Sequence, residues 1–148
     1  MVYKTFWLRA VAAFLDSLLL WPLIITQSNS EGSALGLLGV MILILQHSYY
    51  IIGHAQYGRT LGKRLLGLKV VRTHHHLPLK WKHAIWRQML WIVISIGYSL
   101  VDMKNAPEWI AIPGISLILL DALIAWVHPR HRSLRDFIAE TVVIRTSI

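Results

Sequence analysis

The sequence predicts an all-α membrane protein: four transmembrane helices with both termini cytoplasmic, a short cytoplasmic amphipathic helix and a small paired-strand element. Three observations predict it. The 148 residues are 55% apolar and only 15% charged, whereas a soluble domain is about a quarter charged. Four apolar blocks each approach the ~20 residues that a helix needs to cross ~30 Å of hydrocarbon. The basic residues cluster after the second and fourth blocks and are nearly absent after the first and third.

The blocks are predicted at about 6–26, 34–53, 84–101 and 109–128, in a single domain of 1–148. The first, "FWLRAVAAFLDSLLL", resembles a signal peptide in position. Asp16 interrupts it and no A-x-A site follows, so it is predicted to stay as a span. Pro113 and Gly114 stand side by side in the fourth block, where a kink is expected.

The loops set the orientation. "TQSNSEG" carries Glu31 and no basic residue, and "DMKNAPE" carries Asp102 and Glu108 against Lys104. The segment 54–83 holds Arg59, Lys63, Arg64, Lys69, Arg72, Lys80 and Lys82, and the tail 129–148 holds Arg130, Arg132, Arg135 and Arg145. Lys- and Arg-rich loops stay in the cytoplasm, so 54–83 and both termini are expected inside. Trp7, Trp81, Trp86, Trp109 and Trp126 fall near predicted helix ends, where an indole meets headgroups.

In the cytoplasmic segment, 60–66 suits one or two helical turns, with Leu61, Leu65 and Leu68 toward the bilayer and the basic cluster Arg59, Lys63 and Arg64 toward headgroups. A tight turn is expected near Gly67. "LKVVRT" suits a strand, and "TVVIRT" at the C-terminal end nearly repeats it. Lone strands leave backbone groups unpaired, so Lys69–Arg72 and Val142–Arg145 are expected to pair. "LPLK" at 77–80 is a candidate third strand.

Charges inside spans are costly and point by default to function. Arg9 lies ~5 Å inside the cytoplasmic boundary at ~1.5 Å per residue, with Arg87 at a similar level, His47 ~9 Å in, Asp121 ~10 Å in and Asp16 ~15 Å in. Arg9 and Asp16 share a face, but Arg9 points away from Asp16. The partner expected for Asp16 is Arg87, then His47. Two roles stand open: a buried ionic latch, or a water-filled, cytoplasm-facing cavity for a proton, cation or small ligand.

The chain has no cysteine, which excludes disulfides and thiolate chemistry. No P-loop, G-x-S-x-G or H-E-x-x-H is present, and no nucleophile–base set, so neither an enzyme nor a cofactor is expected. "HHH" at 74–76 reads as a solvated turn, not a metal site. No nucleic-acid recognition fold accompanies the basic residues, and anionic headgroups are the partner they suit. Small residues at Gly36 and Gly39, or Ser95 and Ser99, offer a surface for a partner helix or a second copy.

The motifs together resemble the RDD family of bacterial membrane proteins, named for one arginine and two aspartates. "RAVAAFLD" is similar to the family's Arg and first Asp, matching Arg9 and Asp16. "RTLGKRLLGLKVV" is similar to its T-x-G-K-R segment. "HRSLRDFIAETVV" resembles its H-D-x-x-A-G-T-x-V motif and makes Asp136 the second aspartate. Arg135 stands where the family usually has His, and Glu140 where it usually has Gly. The resemblance implies a polytopic inner-membrane protein; transport, with cation/proton exchange in some members, is what has been proposed for the family. Asp136 is expected to accept from Lys63 or Arg64 and tie the tail to the loop.

Overall fold

The computed structural model describes residues 5–29, 37–74, 77–99 and 108–146. Glu31, Gly36, Asp102, Lys104, His75 and His76 lie outside the described residues.

The elements run α1 (Phe6–Asn29), α2 (Leu37–Tyr57), α3 (Leu61–Leu65), β1 (Leu68–Arg72), α4 (Trp81–Ser99), a 3-10 turn (Glu108–Ala111), α5 (Ile112–Val127), α6 (Leu134–Ile138) and β2 (Thr141–Arg145). Two helices, over Phe6–Leu23 and Leu37–Tyr57, are long and apolar enough to cross a membrane, and Ile112–Val127 is a shorter apolar helix. The fourth block is therefore divided. Its first turn is 3-10, and the chain enters the α-helix at Ile112 just before Pro113. Proline is tolerated in a first helical turn because it gives up a donor that has no partner there. The Pro-Gly pair thus marks a helix start where a mid-helix kink was expected.

The outer faces of these helices are apolar. Leu19, Ile44 and Leu119 are 51%, 60% and 63% exposed. So much exposed apolar surface marks a face that meets something other than water. The buried apolar core lies instead around the sheet, where Ala12, Leu68, Val70, Leu79 and Val143 pack with Leu8 and Leu66 against them.

β1 and β2 pair antiparallel, with Lys69 opposite Ile144, Val70 opposite Val143 and Arg72 opposite Thr141. The near-repeated strands meet as expected. No third strand is added at 77–80, although Arg72 N–H donates to the Leu77 carbonyl at 3.0 Å. Leu68 is fully buried in this core, where a bilayer-facing position was expected. Gly67 adopts φ 64, a conformation nearly free of cost for glycine, and turns the chain from α3 into β1. Glu140 holds φ 51 before β2. A glutamate thus holds a left-handed turn at the position where the motif it resembles has glycine.

α3 does not lie as a separate surface helix. Gly62 abuts α1 so closely that a Cβ there would stand 2.3 Å from the Ala12 carbonyl oxygen. Glycine at 62 is what lets the two backbones meet.

Candidate functional site

Asp136 is the hub of the first charge centre. It sits in the first turn of α6, where Ser133 and Asp136 form a reciprocal capping box. The Ser133 N–H donates to Asp136 Oδ2 at 3.0 Å. Two guanidinium groups converge on the same carboxylate. Arg9 Nη2 from α1 pairs with Oδ2 at 2.6 Å, and Arg87 Nη1 from α4 pairs with Oδ1. Arg87 also donates to Thr141 Oγ1 at 2.7 Å, while Arg9 donates to the His131 carbonyl and to Ser133 Oγ. Asp136 is fully buried. Burial alone would raise its pKa, but Arg87, Arg9 and the Ser133 amide hold it well below the usual carboxylate range. The predicted partners were Lys63 and Arg64. Arginine's planar fork suits a buried carboxylate better than an ammonium does, and it is Arg9 and Arg87 that reach it.

Asp16 forms the second centre and meets no cation among the described residues. Its Oδ1 accepts from the Tyr49 hydroxyl at 2.7 Å and the Gly62 N–H at 2.8 Å. Its Oδ2 accepts from the Thr60 hydroxyl at 2.5 Å. Thr60 and Gly62 are the N-cap and second residue of α3, so Asp16 caps that helix from outside. The expected Asp16–Arg87 pair does not form, because Arg87 is spent on Asp136. The expected second choice, His47, instead contacts Gln88, whose Nε2 donates to Nδ1 at 3.1 Å.

Asp121 on α5 makes the third centre. Arg135 donates to it through its backbone N–H at 3.1 Å and its Nε at 3.1 Å, and Nη2 lies 3.0 Å from Oδ2. The arginine that replaces the family's usual histidine thus has a carboxylate of its own, on a different helix from Asp136.

Lys63 turns inward. Its Nζ lies 2.8 Å from His54 Nε2, and His54 Nδ1 lies 2.6 Å from the Tyr50 carbonyl. A ring hydrogen on Nδ1 serves that carbonyl and leaves Nε2 to accept from the lysine. Burial, then Arg87, Arg135 and Arg9, pull the Lys63 amine well below its usual pKa, with Asp16 opposing. Lys63 was expected at the headgroups; the close approach at Gly62 carries it into the interior. Arg59 and Arg64 remain together, lining a recess of about 630 Å³ with Tyr49, Tyr57 and Leu61.

These centres surround a cavity of about 300 Å³ lined by Arg9, Asp16, Gln46, His47, Tyr50, His54, Lys63, Arg87, Gln88, Trp91 and Arg135 among others. Arg9, Asp16, His47 and Arg87, foreseen as polar positions, are brought together on it, whereas Asp121 and Asp136 stand behind it as counterions. Tyr49, Gln88, Trp91 and Thr141 went unseen, and Thr60, Gly62, His54 and Ser133 were not predicted at this site. The S-x-x-D pattern at 133–136 is a capping-box signature that sequence alone contains. No such signal marks Tyr49 or Trp91. Among the described residues no group of three or more His, Asp or Glu side chains is placed to hold a metal.

Apolar outer helix faces around an inner polar centre define a helical membrane protein. The RDD family is matched over residues 3–140, and the chain belongs to that family. It is similar to an "Uncharacterized protein" of Haemophilus influenzae, at 27% identity over 138 residues covering 93% of this chain and 74% of the relative. It is also similar to the "Uncharacterized membrane protein YteJ" of Bacillus subtilis, at 24% identity over 157 residues covering 99% of this chain and 83% of the relative. No solved structure matches the chain with significance.

Proposed function

We propose that this chain is a non-catalytic, four-span inner-membrane protein with cytoplasmic termini, which admits a small ligand from the cytoplasm to the cavity between α1, α2 and α4 and serves its transport. The observation that carries this reading is the cavity lining. Lys63, His47, His54 and Trp91 converge there on a space of about 300 Å³, in a chain whose outer helix faces are apolar. Polar groups at such depth are costly unless they serve a site. The orientation rests on the Lys/Arg count of the loops. A cation or proton fits the site less well than another small ligand, since each of the three carboxylates is already engaged. Four helices are few for alternating access, so transport calls for a homo-oligomer or a membrane-protein partner. Arg59 and Arg64, at the second recess, suit anionic headgroups.

A second reading, a scaffold held by a structural charge network, is favoured by Asp136 with its two arginines and zero exposure. The two readings fall on different residues. Asp136 and Asp121 fasten elements together, while Lys63, His47 and Trp91 face the cavity.

The chain has no native cysteine, so a single introduced one reports cleanly. Gln46→Cys, on the cavity wall, should react with an impermeant thiol reagent in inside-out vesicles and not in right-side-out ones. Ile44→Cys, on the apolar face, should react in neither. Labelling of Gln46→Cys from the outer side only, or from neither, would contradict the reading.

A further inference from the structure

The cavity's polar groups are unbalanced in one direction. Every carboxylate oxygen near it is taken. Asp16 accepts from three neutral donors, Asp136 is shared by Arg9 and Arg87, and Asp121 is held by Arg135. The donors are not all used. Trp91 Nε1, which can only donate, is buried and has no hydrogen-bond partner. Gln88 Nε2 donates to His47 Nδ1, which puts the hydrogen of a neutral imidazole on Nε2, and that atom too is buried and unpartnered. Lys63 Nζ carries up to three hydrogens and gives one to His54 Nε2. Among the described residues no carboxylate forms an ion pair with it.

Resting on the reading that the cavity admits a small ligand, we infer that this ligand is an oxyanion of phosphate or carboxylate type, bound by the Lys63 ammonium with His47 Nε2–H and Trp91 Nε1–H as neutral donors. A group with several acceptor oxygens and no hydrogens to give satisfies all three at once. Its negative charge also offsets the one cation in excess: four basic side chains, Arg9, Lys63, Arg87 and Arg135, stand against three carboxylates. A buried charge without a counterion is among the costliest features a fold can hold. Burial and three nearby arginines disfavour the ammonium form of Lys63, and an anion alongside restores it. A metal cation would find no free carboxylate there, since those of Asp16, Asp121 and Asp136 are all engaged. The Arg135 guanidinium also lies 5.4 Å from the centroid of the Trp91 ring, a cation–π contact against the indole.

Such chemistry has two sources: a free anion in the cytoplasm, or the phosphate of an anionic lipid headgroup. Purified protein in a neutral detergent is to be followed by thermal unfolding while inorganic phosphate is titrated in, with sodium chloride at matched ionic strength as the control. A parallel series adds phosphatidylglycerol to the micelles. Phosphate should raise the midpoint by a few degrees at saturation, as a ligand of the folded state does, and sodium chloride should not. Lys63→Met should fold and lose the response. Trp91→Phe, which keeps an aromatic ring but no N–H, should weaken it several-fold. Lys80→Met, an exposed site, should keep it. A rise with phosphatidylglycerol alone, absent in Lys63→Met, supports the anion site and assigns its source to the bilayer. Equal rises with phosphate and chloride salt, or no rise with either anion, overturn the inference. In that event Gln46→Cys labelling decides the broader reading separately: an accessible cavity without anion binding removes only the ligand class.

Discussion

The carboxylate of Asp16 on α1 accepts the backbone N–H of Gly62 at 2.8 Å, across 46 residues of chain. A charge that by sequence position belongs to the middle of an apolar helix is therefore used to start a short helix of the 54–83 segment. Any side chain at 62 would strike the Ala12 carbonyl, which is backbone and does not yield. Gly62→Ala should push α3 away from α1 and cost roughly 1–3 kcal/mol, the range for overpacked sites. Asp16→Asn should cost a similar ~1–3 kcal/mol, because its amide nitrogen faces donors and leaves one unmatched. Unfolding midpoints in detergent give both values. A Gly62→Ala protein as stable as wild type would mean that α3 is free of α1.

Asp136 should be the most sensitive acidic position. Asp136→Asn leaves two buried guanidinium groups with one neutral partner and should cost ~3–5 kcal/mol. Adding Arg87→Gln should recover only part of this, since Arg9 keeps its unpaired charge. The pH dependence follows from the lowered carboxyl pKa. A depressed acid contributes its stability above the unfolded value of ~3.9 and loses it as pH falls below. The gap between wild type and Asp136→Asn should hold steady between about pH 6 and 8 and close only on acidification toward ~3.9 and below. A gap that closes near neutrality would show the carboxyl to be unpaired.

Glu140 at φ 51 pays for a conformation that costs an L-residue ~1–2 kcal/mol and costs glycine almost nothing. Glu140→Gly should therefore stabilise the protein by about 1 kcal/mol. A lower midpoint in the variant would mean that the glutamate side chain makes a compensating contact.

Val70 and Val143 stand directly opposite in the two-stranded sheet. A cysteine at each should crosslink under mild oxidation, whereas Val70→Cys with Ile144→Cys, one residue out of register, should crosslink far less. Single cysteines at Ser30 and His75 test the orientation in whole cells: Ser30 should label with an impermeant reagent and His75 should not.

The sheet was legible because two nearly identical β-branched runs advertise each other. The helical blocks were legible as long apolar runs, although only those over Phe6–Leu23 and Leu37–Tyr57 are long and apolar enough to cross a membrane, and the fourth shortens to Ile112–Val127. The charge partners were not. Depth arithmetic places residues along a helix axis but treats the 54–83 segment as lying on the surface. Gly62 removes that assumption, since a missing Cβ lets α3 press against α1 and reach Asp16. Once Thr60 and Gly62 satisfy Asp16, Arg87 is available to Asp136, and Lys63 is carried inward to His54. The basic cluster Arg59, Lys63 and Arg64 looks uniform by charge, yet only its middle member faces the interior cavity. The replacements at 135 and 140 were visible as departures. Their consequences, a bond to Asp121 and a strained turn, are properties of three-dimensional neighbours.

Lys63→Met in thermal unfolding is the most direct test of whether the inner polar residues serve a site as well as holding the bundle. Binding residues are held at some cost in stability, and methionine fills a lysine's space without a buried amine. With no ligand added, the midpoint of Lys63→Met should equal or exceed that of wild type, whereas Asp136→Asn should fall well below it. A Lys63→Met midpoint that falls as far as that of Asp136→Asn would make the lysine one more structural fastener and contradict the account.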